Sequence, residues 1–182
     1  MTYAIQAKLH GRSEGVAWLF HAVNWLLHAA VSAAVAELVR RMTHSFTVAT
    51  IAGLLFALHP VHVEAVANVV GVAEVVSTVA VLAGCLLHVR SGPVSGWGTA
   101  FGVGALYAIG FGAKESAVTL PGLLFLLDAA RSHLGLGELR GYIAARWRVY
   151  AVMAGVAAAL LAGRWAVLGT IASPLAPLGA HL

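Results

Sequence analysis

The residues best suited to chemistry lie in short polar islands inside a very apolar chain. The sharpest is His59-Pro60-Val61-His62-Val63-Glu64. Two imidazoles and a carboxylate this close can exchange protons near neutral pH or ligate a divalent metal. The spacing differs from the His-Glu-x-x-His pattern that holds zinc on a helix. Metal ligation, recognition of phosphate or sugar, and simple capping and anchoring at a membrane interface all stay open. Pro60 suits a first helical position, where its missing N–H would have no partner anyway. Glu64 and Asn68 then follow as an i,i+4 pair. A second island is Lys114-Glu115-Ser116. Its lysine either snorkels to the interface beside a balancing acid or meets a phosphate. Arg164 sits deep in the last apolar run, where an arginine is expected to face a polar cavity or an anionic partner.

A third set lies on one helix. His21, Asn24, His28 and Ser32 are spaced three, four and four apart. At ~100° per residue they share a face. That face either hydrogen-bonds across helices or handles a substrate or proton. Asn68 and Glu74 are assigned to the same packing or cavity surface. Cys85 is the chain's one cysteine, so an intramolecular disulfide and a cysteine-based metal site are both excluded. No metal ligand is assigned. The residues demand no cofactor, although a divalent metal is compatible with them.

These side chains need elements to position them, and composition says which. The chain has 182 residues, 60% hydrophobic and 10% charged, with a net charge of +4. Soluble domains carry about 25% charged residues, so much of this apolar surface must face membrane lipid. Nucleic acid is excluded as a partner, because the basic residues sit in short clusters between apolar runs without an aromatic-basic patch. Nine arginines against two lysines suggest a GC-rich, bacterial source. The expected fold class is all-α, a polytopic transmembrane bundle of about five to six helices.

A membrane helix needs ~20 apolar residues. Gly15–Leu38 is the first expected span and ends at Arg40 and Arg41; Phe46–Leu58 is a short second one, closed by Pro60. A third runs from Val72 to Leu87 and stops at Arg90, followed by a turn at Ser91–Trp97. Gly98–Leu127 would measure about 45 Å as one helix, more than a ~30 Å hydrocarbon core, so a break is expected at Lys114-Glu115-Ser116. Arg131–Arg148 reads as a polar, basic connection, and Tyr150–Ile171 as the last span. The implied domains are an outer-loop remnant at 1–14, a partial transmembrane domain at 15–171 and an outer tail at 172–182. Counting basic residues, Arg40, Arg41, Arg90, Arg131, Arg140, Arg146 and Arg148 fall on one side, against Lys8, Arg12 and Lys114 on the other. The positive-inside rule then puts His59–Glu64 and Lys114 on the extracytoplasmic face of a bacterial cytoplasmic membrane. An outer N-terminus without a leading span suggests that an earlier span is missing and the chain is a fragment.

Three stretches together resemble a known family. They are Phe20-His21-Ala22-Val23-Asn24-Trp25-Leu26-Leu27-His28, Leu55–Gly71 with its His-Pro-x-His-x-Glu-Ala-Val core, and Lys114-Glu115-Ser116-Ala117-Val118-Thr119-Leu120-Pro121. In that order they are similar to the membrane domain of the transmembrane and tetratricopeptide-repeat O-mannosyltransferases and their bacterial relatives, within the GT-C superfamily. Arg164-Trp165-Ala166-Val167-Leu168-Gly169 resembles the end of a following helix there. The resemblance covers about residues 17–170.

It implies a partial GT-C-like membrane domain with a cavity opening outward. It implies a polyprenyl-phosphate-linked sugar donor, mannose by family, and an acceptor protein whose hydroxyl receives the sugar. The family's catalytic acid lies in an outer loop before this chain's first span, so no catalytic residue is assigned here and the fragment alone is expected to be inactive. Lys114 and Arg164 are the expected phosphate-side cations, with Glu115 adjacent and His59, His62 and Glu64 shaping the outer rim. Gly71-Val72-Ala73-Glu74 departs from the family's Gly-Arg-Ala-Asp/Glu and replaces a cation that could touch phosphate. The rival expectation is a non-catalytic membrane anchor or scaffold for a partner-binding repeat domain.

Overall fold

The structure, a computed structural model, describes residues 17–62, 71–92, 94–131 and 136–168. Among these residues there are seven α-helices and no strand. We label them α1 (Ala17–Thr43), α2 (Phe46–Leu58), α3 (Val72–Arg90), α4 (Trp97–Ala113), α5 (Leu120–Arg131), α6 (Leu136–Ala145) and α7 (Trp147–Leu168). Two 3₁₀ turns, Pro60–His62 and Glu115–Thr119, lie between them. The all-α expectation holds. Three helices are long and apolar enough to cross a membrane, over His21–Thr43, Val72–Arg90 and Trp147–Val167, and α2 and α4 are shorter apolar helices. Large side chains such as Trp25, Leu26, Phe46, Leu55 and Leu58 lie exposed. Apolar surface this extensive belongs in lipid, and the chain is an integral membrane protein.

Local chemistry accounts for the breaks. His44 adopts φ 56°, and its N–H bonds back to the Arg40 carbonyl at 2.9 Å. Ser45 then caps α2 by accepting from the Val48 N–H at 3.4 Å, which satisfies one of the donors a helix start leaves open. Lys114 is extended (φ −155°, ψ 142°) and ends α4, so the long apolar run does break where its length requires. Two expectations need correction. The connection Arg131–Arg148 is not simply a loop, because α6 forms within it, and α7 already begins at Trp147. The first helix runs past Arg40 and Arg41 to Thr43 because Glu37 ion-pairs with both arginines at 2.7 and 2.6 Å one turn away.

α3 is the central helix. It packs on α1, α4 and α5, and it is far more buried along its apolar length than α1 or α7. The core joins Val81 and Cys85 of α3 to Val103 and Tyr107 of α4, Leu120 and Leu124 of α5, and Val149 and Met153 of α7. Small residues permit close approach. A Cβ on Gly104 would lie 2.6 Å from the Val152 methyl, and one on Gly53 would lie 2.9 Å from Ala36 Cβ. The helices alternate in direction, so polar groups separate to two ends of the bundle. One end carries His62, Glu74, Lys114 and Arg164; the other carries Arg90, Arg131, Arg146 and Arg148.

Candidate functional site

At the first end, α1, α2 and α3 surround a cavity of about 350 Å³. His28, Phe56, His62, Glu74 and Thr78 are among its lining residues. Their positions follow from the break after α2. His59 ends that helix in extended backbone, its N–H on the Phe56 carbonyl. Pro60 then starts a single 3₁₀ turn that swings His62 back over Phe56. The His62 ring lies 4.1 Å from Phe56 and 5.4 Å from His28, centroid to centroid. His28 donates from Nε2 to the Ala57 carbonyl at 3.1 Å, which fixes its tautomer. His59 accepts at Nδ1 from the Val61 N–H at 3.2 Å, so its exposed ring sits on the rim, 6.0 Å from His62. Burial holds the His62 imidazole below the ordinary pKa of 6.5, and the charges of His28 and His59 add to the effect.

The two candidate cations belong to the same end. Lys114 pairs with Glu74, the carboxylate that lines the cavity. Arg164 donates to Glu115 at 2.6 Å across from α7. Lys114 and Glu115 are neighbours, so a continuous polar path runs from Arg164 through Glu115, Lys114 and Glu74 to the His62 cavity. Both pairs keep substantial exposure: Lys114 and Glu74 at 42% and 47%, Arg164 and Glu115 at 21% and 69%. Exposed pairs of this kind contribute little, about 0–1 kcal/mol. Ser77 and Ser116 meet at 3.4 Å beneath the path.

Other sequence candidates are distributed around this site. Asn24 and Ser32 are buried on α1, Ser32 donating to the His28 carbonyl at 2.8 Å. His21 is half-buried on the same helix and does not line the cavity. Glu64 and Asn68 lie outside the described residues. Among the described residues no cluster of three or more His, Cys, Asp or Glu side chains could hold a metal ion.

Sequence reasoning missed the densest polar cluster, at the opposite end. Asp128, on α5, accepts from His88 Nε2 at 2.8 Å and from the Tyr150 hydroxyl at 2.7 Å. Arg146 lies 3.3 Å from the same carboxylate and donates to the His88 carbonyl at 3.1 Å and to the Gly92 carbonyl. The side chains of His88, Asp128 and Arg146 are fully buried. The cluster ties α3, α5 and α7 together, and Arg131 adds a bond to the Val89 carbonyl at 2.9 Å. One signal was available. Asp128 is the chain's sole aspartate and directly follows the apolar Leu123–Leu127 run.

Comparison with known proteins finds partial matches to protein O-mannosyl-transferases. The chain is 37% identical over 124 residues to the protein O-mannosyl-transferase Tmtc2 of Drosophila melanogaster, a match covering 65% of this chain and 13% of that protein. It is 32% identical over 121 residues to protein O-mannosyl-transferase TMTC2 of Mus musculus, covering 64% and 14%. It is 36% identical over 107 residues to protein O-mannosyl-transferase TMTC3 of Homo sapiens, covering 57% and 12%. The chain thus spans only about an eighth of the length of these relatives. No family model matches it, and no solved structure does.

Proposed function

We infer, from its kinship with the TMTC protein O-mannosyl-transferases, that this chain forms the lipid-phosphate side of a membrane mannosyltransferase site. The donor is a polyprenyl-phosphate-linked mannose and the acceptor a protein hydroxyl. The observation that carries this reading is the polar path from Arg164 and Lys114 to the His62 cavity, held at one end of an integral membrane bundle.

In the proposed reaction the acceptor hydroxyl attacks the anomeric carbon as the bond from that carbon to the phosphate oxygen breaks. The electron pair leaves with the lipid phosphate, and the hydroxyl proton passes to a carboxylate base. Negative charge therefore grows on the departing phosphate. A preorganised donor at such a position is worth about 10²–10³ in rate, and Lys114 and Arg164 are the cations available. Phosphate enters by displacing Glu74 from Lys114 and Glu115 from Arg164. Glu74 is then released toward the cavity, and His28, His59 and His62 line the sugar's approach. The extracytoplasmic face is the His62 end, because the arginines between the spans gather at the opposite end.

The test is transfer of labelled mannose from polyprenyl-phosphate-mannose to an acceptor peptide by the membrane-embedded gene product that carries this chain. Lys114→Ala and Arg164→Ala are each expected to slow transfer by about two orders of magnitude. Unchanged rates in both variants overturn the assignment. The pairing of both cations with carboxylates is the one observation favouring a non-catalytic anchor instead. That reading predicts no transfer by the unmodified protein and loss of partner recruitment on mutation.

A further inference from the structure

The bundle's other end carries a surface that the mannosyltransferase reading does not use. We propose that Trp97, Trp147 and Arg148 form a seat for the phosphate headgroup of an anionic phospholipid, at the membrane face opposite the His62 cavity. The geometry brings apolar area and positive charge to one spot. α4 and α7 begin there side by side, the Trp97 and Trp147 rings meeting edge to face at 5.7 Å and 83°. Both rings are about half exposed, at 48% and 51%. Tryptophan in this setting sits at headgroup level, its ring amphipathic.

Arg148 supplies the charge. Its guanidinium lies 5.5 Å from the Trp97 ring and 5.7 Å from the Trp147 ring. It gives one hydrogen bond to the Ser95 carbonyl, at 3.3 Å, while its Nε is buried with no partner. Among the described residues no carboxylate lies within ion-pair distance of it. The contrast with Arg146, on the other flank of Trp147, is informative. Arg146 turns inward onto Asp128, Tyr142 and two backbone carbonyls, and although its Nε also lacks a partner its charge is met by the Asp128 carboxylate. The cation that faces the membrane surface is the one left without an acid.

Two further features fit an anionic lipid. The N-terminal ends of α4 and α7 add partial positive charge and open N–H groups where the phosphate would lie, and Gly98 in the first turn of α4 has open space around it. The exposed Phe101 stacks on Trp97 at 5.8 Å, with exposed Ile109 two turns farther along α4. This gives the lipid's acyl chain a path leading away from its headgroup.

The test is native mass spectrometry of the full chain released from micelles with matched phosphatidylglycerol and phosphatidylcholine. One interfacial arginine gives about a fivefold preference for the anionic lipid, and that is the retention ratio expected. Arg148→Gln should remove the preference, Arg148→Lys should keep part of it, and Arg140→Gln, on exposed α6 surface, should leave it unchanged. Should Arg148→Gln lose helicity by circular dichroism, Trp97→Leu takes its place with the same expected drop. Equal retention of the two lipids by the unmodified chain overturns the proposal, as does a preference that survives the substitution. Displacement of phosphatidylglycerol by millimolar inorganic phosphate also overturns it, by marking a site for free anions.

Discussion

Replacing Asp128 with alanine should be among the most damaging single changes in this chain. Asp128 and Arg146 both have fully buried side chains, 3.3 Å apart. Removing one partner of a buried ion pair leaves an uncompensated charge and costs about 3–5 kcal/mol. His88 and Tyr150 would also lose their acceptor, at 2.8 and 2.7 Å respectively. Stranding a buried donor costs about 1–3 kcal/mol, which places the total at the upper end of the first range. The loss reflects orphaned groups and not the net worth of the pair, so a cycle is needed. Arg146→Ala removes the charge that Asp128→Ala strands, and the double variant should cost less than the sum of the singles by about 2 kcal/mol, within the range of contacting pairs. The assay is reversible unfolding in mixed micelles by SDS titration, followed by helical circular dichroism. A loss under about 1 kcal/mol for Asp128→Ala, or strict additivity in the cycle, refutes the network as a structural clamp.

Other consequences follow from single contacts. Gly104→Ala would drive a Cβ to 2.6 Å from Val152 and should destabilise the α4–α7 contact by about 1–3 kcal/mol in the same SDS titration. Gly112→Ala meets nothing within 4 Å and should be neutral or stabilising by up to ~1 kcal/mol. His62 should titrate below 6.5 by NMR, since burial and then the charges of His28 and His59 disfavour its protonated form. Protonation then favours the unfolded chain, so the contribution of His62 to stability is complete above pH ~6.5 and declines as pH falls through the folded pKa. A midpoint at or above 6.5 contradicts the enclosed geometry. Glu115→Gln should change stability by less than ~1 kcal/mol, because the carboxylate is 69% exposed.

Much of the helical framework was legible from run length and punctuation. The bounds Phe46–Leu58 follow from Ser45 and from the His59-Pro60 stop, and the break at Lys114 follows from a run too long for a bilayer. Both are local signals. α6 was hidden because Arg140 and the flanking glycines resemble a loop when read by composition, and the identity of Arg148 as a helical residue was hidden with it. Residue types singled out Lys114, Arg164 and the histidines as candidates, yet their partners were out of reach. Arg164 finds Glu115 across 49 residues and His88 finds Asp128 across 40. Pairings over such distances depend on helix order and rotation, which neither periodicity nor spacing encodes. Arg146 and Arg148 illustrate the limit most clearly: two residues apart and chemically identical, one is buried in an ion cluster and the other packs against surface tryptophans.

The proposed function turns on which end of the bundle would meet a donor phosphate. A photoreactive polyprenyl-phosphate-mannose, cross-linked in membranes and mapped by peptide mass spectrometry, addresses it directly. Adducts are expected at Pro60–His62, around Glu74 and at Lys114–Thr119, competed away by unlabelled donor and lost in Lys114→Ala. Adducts confined to the Trp97 and Trp147 end, or labelling at Lys114 that excess donor leaves untouched, would contradict it.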